Sequence, residues 1–173
     1  MEILTVPSEI LRKKSVKVKK INPSIKRLIK GMIETLKEVG GLGIAAPQVG
    51  CLLRIVVIES KGGKRKNGLR KPKIPLTVLI NPEIVENSQE KEEDDEGCLS
   101  VPEIWGMVKR AKSVVAKALD EKGKPKKIKA SELFARVLQH EIDHLNGILF
   151  TDKADVSTLH KISPEGEIIK IKL

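Results

Sequence analysis

The sequence predicts an α+β fold in which antiparallel or mixed strands pack around a helix near the C-terminus. Patterns with helical spacing lie towards the two ends of the chain, and segments with the composition of strands fill the middle. Strands grouped between helices are typical of this class. The chain has 173 residues and neither an internal repeat nor a linker, so we expect one domain over residues 1–173.

The first helical patterns precede a glycine-rich segment. Pro7-Ser8 introduces a brief helical piece over residues 9–14. Pro23-Ser24 then begins an amphipathic helix, and glycine, a common C-terminal signal, ends it at Gly40-Gly41. Residues 40–50 predict a loop or irregular extended chain.

The middle of the chain contains the predicted strands. Residues 52–59 have the apolar composition of a buried strand, and residues 76–85 predict a second strand that is kinked at Asn81-Pro82. Residues 107–120 predict one or two further strands, and residues 126–129 predict a short strand after a turn.

The clearest helix begins at Ser131, a good N-cap, and ends near Asn146-Gly147. It carries the H-E-x-x-H motif on which the functional argument depends. After it, residues 165–173 alternate apolar and charged side chains and predict an edge strand.

The composition is that of a globular protein. Hydrophobic residues make up 40% of the chain and charged residues 32%, which excludes disordered, fibrous and membrane-spanning classes. No basic-then-apolar leader opens the sequence, so we expect a cytoplasmic protein that does not contact a membrane. Two cysteines are too few for a disulfide scaffold.

The charge is strongly positive and unevenly distributed. Lys and Arg number 33 against 23 Asp and Glu, a formal net charge of +10, which favours approach to polyanions such as ribosomal RNA. Residues 61–73 are basic without any acid, whereas residues 90–96 are almost wholly acidic. A basic run without aromatic residues is usually a solvated loop, and a nucleic-acid contact is the alternative.

The H-E-x-x-H motif predicts a metal site. On a helix, His140 and His144 lie one turn apart, so both imidazoles reach the same point in space. Glu141 lies about 100° round the helix, where it can address a water at that point. The face bearing both histidines continues through Val137 and Leu133, which predicts a hydrophobic pocket beside the metal.

Two histidines do not hold a metal, and the pattern leaves the third ligand open. A third histidine of the metzincin type is excluded, because Phe150 stands at that position. Glu165 is at a suitable distance but lies in a predicted turn. Of the two thiols, Cys98 follows a glycine in a turn, as a ligand does, whereas Cys51 enters a strand as a small buried hydrophobe. We interpret His160 as a surface residue.

Three segments together resemble the peptide deformylase family. Gly41 to Gln48 resembles its G-φ-G-φ-A-A-x-Q motif, in which φ is an apolar residue. Glu96 to Ser100 resembles E-G-C-φ-S, and Gln139 to His144 resembles Q-H-E-φ-D-H. The order and the approximate separations also fit, and the similarity spans Met1 to about Asp152.

The resemblance implies an α+β metal-dependent hydrolase. Cys98, His140 and His144 would hold one divalent metal with water in the fourth position. Fe²⁺ is the expected physiological metal, and Zn²⁺, Ni²⁺ or Co²⁺ can occupy the same ligands. The implied substrate is the N-formyl-methionine end of a nascent polypeptide, and the products are formate and a free amino terminus.

The resemblance also implies roles for residues around the metal. Glu141 would shuttle the proton, and the Gln48 amide and Leu99 backbone N–H would stabilise the oxyanion. Glu96 and Asp143 would orient ligands or backbone. The residues that would line the methionine pocket are Leu42, Gly43, Leu133 and Val137. The residues that would pair with the backbone of the peptide are Leu42, Gly43 and Gly97.

Two positions depart from the family pattern, and two other functions compete. Trp105 stands where relatives often carry Arg or Tyr near the substrate, and we expect Arg136 to narrow or polarise the edge of the pocket. If the protein docks on the ribosome, residues 61–73 are the candidate surface. The competing functions are an H-E-x-x-H metallopeptidase and a non-catalytic, basic ribosome- or RNA-binding module.

Overall fold

The computed structural model describes residues 1–64, 70–162 and 168–171. Over these residues it contains two α-helices, α1 (Pro23–Val39) and α2 (Glu132–Leu145). The strands, in chain order, are β1 (Gly43–Ala45), β2 (Ile55–Lys64), β3 (Arg70–Asn87), β4 (Lys91–Cys98), β5 (Val101–Ala111), β6 (Ser113–Leu119), β7 (Pro125–Ser131), β8 (His160–Ile162) and β9 (Ile168–Lys170). None of the described helices is long and apolar enough to cross a membrane.

The strands form two sheets, and neighbouring strands in both are antiparallel. The first sheet has the order β1-β2-β3-β6-β7, and the second has the order β4-β5-β8-β9. The predicted α+β class is therefore confirmed. The strands β1 and β4 are each at an edge of their sheet.

The first sheet lies between the two helices, as the alternation along β2 shows. Val56 and Ile58 are buried in the apolar cluster that contains the inner face of α2. Ile55 and Val57 are buried in a second cluster with the inner face of α1. Because successive side chains of a strand point to opposite faces, a run buried on both faces is apolar throughout. The helix with the H-E-x-x-H motif is thus supported by the buried first half of β2.

Both helices and the kinked strand confirm their predictions. Gly40 follows α1 with φ of 68°, the left-handed conformation that glycine adopts readily at helix ends. In β3 the pairing register shifts between Ile80 and Glu83, and Asn81 has φ of 54°. The strand therefore bends at the predicted Asn81-Pro82 position, although β3 is longer at both ends than predicted.

Two segments differ from their predictions. The glycine-rich residues 40–50 contain β1 and a 3₁₀ turn at Ala46–Val49 rather than only loop. The acidic residues 90–96 lie mostly in β4, which we did not predict as a strand. Opposite it, β5 places Arg110 against Glu92 and Lys109 against Glu93, so the acidic strand is paired with basic side chains. Of the predicted edge strand 165–173, β9 confirms a part, and the remainder lies largely outside the described residues.

Candidate active site

The site joins the C-terminal half of α2 to the end of β4. The helix provides His140 and His144, and the strand ends at Cys98. The ligand atoms of these three residues all lie within 4.8 Å of one another, and Cys98 Sγ is 3.2 Å from His144 Nε2. Cys51 lies elsewhere, against the apolar cluster under α1. Glu165 is outside the described residues.

The three ligand atoms fit a small divalent cation. Ligands bound at roughly 2.0–2.3 Å in a tetrahedral arrangement are about 3.5 Å apart, which is compatible with the observed spacing. Burial alone lowers the pKa of His140, but hydrogen bonding to Cys98 and Glu96 outweighs it and raises that pKa to about 10. The groups around His140 therefore favour a positive charge on its ring, whereas burial and that charge hold the pKa of His144 well below its usual range. A thiolate with two imidazoles suits iron, zinc, nickel and cobalt alike.

Glu96 orients His140, as predicted. Its Oε2 lies 2.9 Å from His140 Nδ1, so Nδ1 donates to Glu96, and Nε2 is the nitrogen that would bind a metal after it loses its proton. Burial would raise the pKa of Glu96, but hydrogen bonds from Arg110 and His140 hold it well below its usual range. Glu96 therefore remains an acceptor at neutral pH.

Two buried arginines surround Glu96. Arg110 binds both of its oxygens, at 2.6 Å and 2.8 Å, and donates to Asp143 at 2.7 Å. Arg136 donates to Glu96 Oε1 at 2.8 Å. The expectation that Arg136 polarises the substrate pocket is therefore wrong. Its guanidinium is instead drawn to Glu96, a buried carboxylate on the neighbouring strand β4.

Glu141 lies deep in the site against β1. Only 4% of its surface is exposed, and a Cβ added at Gly43 would lie 2.3 Å from Glu141 Oε1. The other oxygen, Oε2, is buried without a hydrogen-bond partner among the described residues. Burial raises the pKa of Glu141 to about 7, where a carboxyl group can both accept and donate protons.

Gln48 presents its amide nitrogen to the ligand cysteine. Its Oε1 accepts from the backbone N–H of Ala45 at 2.8 Å, which fixes the orientation of the amide. Its Nε2 lies 3.1 Å from Ser100 Oγ and 3.7 Å from Cys98 Sγ. Leu99 directly follows Cys98, in the tight turn between β4 and β5.

Three of the residues predicted for the methionine pocket share one apolar cluster. Leu133 and Val137 are buried on α2, and Leu42 packs against the same apolar cluster. Gly43 and Gly97 lie on the edge strands β1 and β4.

Trp105 and His160 lie opposite each other on β5 and β8. A Cβ added at Gly97 would lie 2.9 Å from indole atoms of Trp105, which therefore covers this glycine. The expectation of a surface His160 is wrong, because β8 pairs with β5, and only 9% of His160 is exposed.

Sequence reasoning missed Arg110 and Ser100, both of which contact site residues. Arg110 is 4% exposed and Ser100 is fully buried. Arg110 directly follows Lys109 in β5, but it shares the buried alternate positions of Gly106 and Val108. A basic residue at such an inward position of a strand is the signal that could have indicated a buried ion pair.

Known proteins of one family match this chain over most of its length. The sequence profile described as polypeptide deformylase matches residues 1–160. The peptide deformylase of Dictyoglomus thermophilum is 49% identical over 158 residues, which are 91% of this chain and 95% of that protein. Peptide deformylase 1 of Clostridium acetobutylicum is 52% identical over 145 residues, 84% of this chain and 88% of that protein.

Solved structures agree with the sequence comparison. A class I type b peptide deformylase from Acinetobacter baumannii with bound Met-Ala-Ser has a TM-score of 0.81 at 34% identity, over 87% of this chain and 96% of that chain. The peptide deformylase of Thermotoga maritima has a TM-score of 0.79 at 37% identity, over 88% of this chain and 96% of that chain. The chain belongs to the polypeptide deformylase family.

Proposed function

We propose a role for each site residue in the reaction of this family, the hydrolytic removal of the N-formyl group from nascent polypeptides. Cys98, His140 and His144 would hold the metal, whose presence supplies a Lewis acid that polarises the formyl group and lowers the pKa of water. The observation that carries the assignment is the convergence of these three ligand atoms beside Glu141 and the Gln48 amide.

Glu141 is the proton shuttle in this proposal. Its unpartnered Oε2 accepts a proton from the attacking water and later delivers it to the leaving amine. As the C–N bond breaks, the formyl carbon leaves as formate and the amine keeps the delivered proton. The position of Glu141 against Gly43 holds the carboxylate at one place during both transfers.

Two hydrogen-bond donors stabilise the oxyanion that develops on the formyl group. The Gln48 amide nitrogen and the Leu99 backbone N–H flank Cys98, so both lie beside the ligand set. Removal of one such donor typically costs about 3 kcal/mol of transition-state stabilisation. Gln48→Glu keeps the acceptor for Ala45 but removes the N–H donor, and we expect it to lower kcat roughly 100- to 1000-fold.

The peptide chain is proposed to bind between two sheet edges. Leu42, Gly43 and Gly97 lie at or beside the edge strands β1 and β4, and an extended peptide can add to a sheet edge through backbone hydrogen bonds. The methionine side chain would enter the apolar surface of Leu133 and Val137. The Met-Ala-Ser bound to the relative from Acinetobacter baumannii supports a peptide of this kind.

Formate release from formyl-Met-Ala-Ser tests the function directly. The protein is prepared anaerobically and loaded in turn with Fe²⁺, Ni²⁺, Zn²⁺ and Co²⁺. We expect release with at least one metal, and Fe²⁺ as the physiological one. Cys98→Ala is expected to lose both metal and activity, and formate release at the wild-type rate from a metal-free Cys98→Ala protein would contradict the assignment.

The two competing functions predict different results. A metallopeptidase would cleave an internal bond of an unformylated peptide and keep its metal in Cys98→Ala. A non-catalytic RNA-binding module would bind no metal. The family comparisons support neither function, since the matches are deformylases.

We also propose that the protein associates with the ribosome through residues 61–73. Such an association would take place in the cytoplasm, where we expect the protein to act. Lys61, Lys64, Lys71 and Lys73 lie on the hairpin of β2 and β3, and residues 65–69 lie outside the described residues. Each phosphate contact contributes about 0.9 to the slope of log K against log salt for duplexes. Replacing these four lysines by Gln should weaken ribosome binding and flatten that slope, and unchanged binding would contradict the surface.

A further inference from the structure

Arg136 is a buried arginine that the proposed reaction does not use. It lies on α2 one turn before His140, and 6% of its surface is exposed. A guanidinium withdrawn from water needs acceptors around it, since an uncompensated buried charge is strongly unfavourable. The positions of the hydrogen-bond acceptors of Arg136 therefore indicate the role of its side chain.

The three hydrogen bonds of Arg136 connect α2 to the second sheet. Nη1 donates to Glu96 Oε1 and to the backbone carbonyl of Val108, each at 2.8 Å. Nη2 donates to the backbone carbonyl of Glu92 at 2.7 Å. Glu92 and Glu96 lie on β4, which ends at Cys98, and Val108 lies on β5. One guanidinium thus joins the helix to two adjacent strands.

The carboxylate that Arg136 binds is also the one that holds His140. Glu96 Oε2 lies 2.9 Å from His140 Nδ1, while Oε1 accepts from Arg136. After His140 on the helix, Asp143 accepts from Arg110 at 2.7 Å. His140 therefore lies between two links from helix to sheet, one turn before it and almost one turn after it.

Arg110 does not replace Arg136 in this arrangement. The ion pair of Arg110 with Glu96 fixes strand to strand. The bond of Arg110 to Asp143 attaches the helix to β5 rather than to β4, the strand that ends at Cys98. The side chain of Arg136 extends from the helix to backbone carbonyls of β4 and β5, and these carbonyls cannot move unless their strands move. A ligand set must be held within about 0.5 Å of its working geometry.

We propose that Arg136 is a positioning residue for the metal centre, because it fixes α2 against β4 so that His140 and His144 meet Cys98. The proposal rests on the proposed function, since it requires these three residues to bind the metal. Under this proposal, Arg136 attaches the helix to β4, which the ion pair of Glu96 with Arg110 does not do.

Release of Co²⁺ tests this proposal without an activity measurement. Arg136→Met removes the charge and the hydrogen bonds while keeping a long flexible side chain. With excess chelator, we expect Co²⁺ to leave this variant roughly 10- to 100-fold faster than it leaves the wild type. The visible spectrum of the bound Co²⁺ should also change, because the ligand geometry relaxes. Arg136→Lys keeps the charge but not the forked geometry, and its release should be intermediate.

A destabilised control separates positioning from general loss of stability. Ile29 is buried in the cluster under α1, on the other face of the first sheet. Ile29→Ala or Ile29→Val, whichever matches the thermal midpoint of Arg136→Met, should keep the wild-type release rate and spectrum. Wild-type release and spectra in every folded Arg136 variant would overturn the proposal.

The failure of this proposal can be distinguished from the failure of the proposed function. A wild-type protein that holds Co²⁺ but releases no formate from formyl-Met-Ala-Ser contradicts the function and leaves the comparison of release rates intact. A protein that releases formate but shows equal Co²⁺ release in the Arg136 variants contradicts only the role of Arg136.

Discussion

Gly43 lies so close to Glu141 that there is no room for a side chain at residue 43. A Cβ at residue 43 would lie 2.3 Å from Glu141 Oε1 and 2.7 Å from its Cδ. The buried carboxylate occupies the volume that any larger side chain would need. Residue 43 is therefore a glycine because the Glu141 carboxylate fills the space of a side chain, and β1, which carries Gly43, determines where that carboxylate lies.

Gly43→Ala should displace Glu141 and leave the fold intact. A displacement of about 1 Å at a catalytic group can cost about 100-fold in rate, so we expect kcat/KM for formyl-Met-Ala-Ser to fall at least that far. The control is Gly31→Ala on α1, where the new Cβ meets only the end of the Met1 side chain, which is 54% exposed. Full activity in Gly43→Ala, with a thermal midpoint like that of the control, would refute the displacement.

Glu141→Gln tests the proton shuttle itself. Glutamine has nearly the same shape but does not accept and return a proton at neutral pH, so we expect metal content to be unchanged and formate release to fall by roughly 100- to 10,000-fold. Metal analysis and turnover are measured on the same preparation. Turnover near the wild-type level would show that another group moves the proton.

At the scale of elements, the kink of β3 depends on one side chain. Asn81 has φ of 54°, accepts from the backbone N–H of Val18 at 2.8 Å and donates to the carbonyl of Val18 at 2.9 Å. Asparagine tolerates the left-handed conformation better than most residues. Asn81 thus bends the strand and attaches the N-terminal segment to it.

Asn81→Ala should lower the free energy of unfolding by about 2–3 kcal/mol, since it loses two hydrogen bonds of about 1 kcal/mol each and leaves a strained backbone. Asn81→Gly also loses both hydrogen bonds but relieves the backbone strain, so it should lower the free energy of unfolding by less than Asn81→Ala does. Urea unfolding measures both variants, and formate release should stay near the wild-type rate. A greater loss in Asn81→Gly than in Asn81→Ala would contradict this account of the kink.

The elements that the sequence predicted well are those with local signals. The apolar spacing of α1 and its terminal glycine need no knowledge of the rest of the chain, and the same holds for α2. By contrast, β4 is acidic, and its strand is defined by its pairing with β5, which places Lys109 and Arg110 opposite Glu93 and Glu92. Such a pairing depends on the partner strand and gives no periodic signal in the acidic segment itself.

At the scale of the whole molecule, the candidate site follows the same rule as the elements: the parts that lie on one element were predictable, and the contacts between elements were not. His140, Glu141 and His144 lie on one helix, so their convergence follows from helical geometry. The contacts of Arg110 and Arg136 with Glu96 depend on how α2 packs against the second sheet, and the spacing of residues along α2 led to the wrong prediction for Arg136. One domain over residues 1–173 stays a prediction.

Because its ligands come from both α2 and β4, the metal should stabilise the whole fold. A ligand that binds only the folded state stabilises it by about 4 kcal/mol at a concentration of about 1000 times Kd. For a chain of this size, that corresponds to a rise in Tm of roughly 10 °C. Removing the metal with a chelator should therefore lower Tm by about this amount. Cys98→Ala, which lacks a ligand, should have a low Tm that the chelator does not change, and an equal shift in both proteins would place the metal elsewhere.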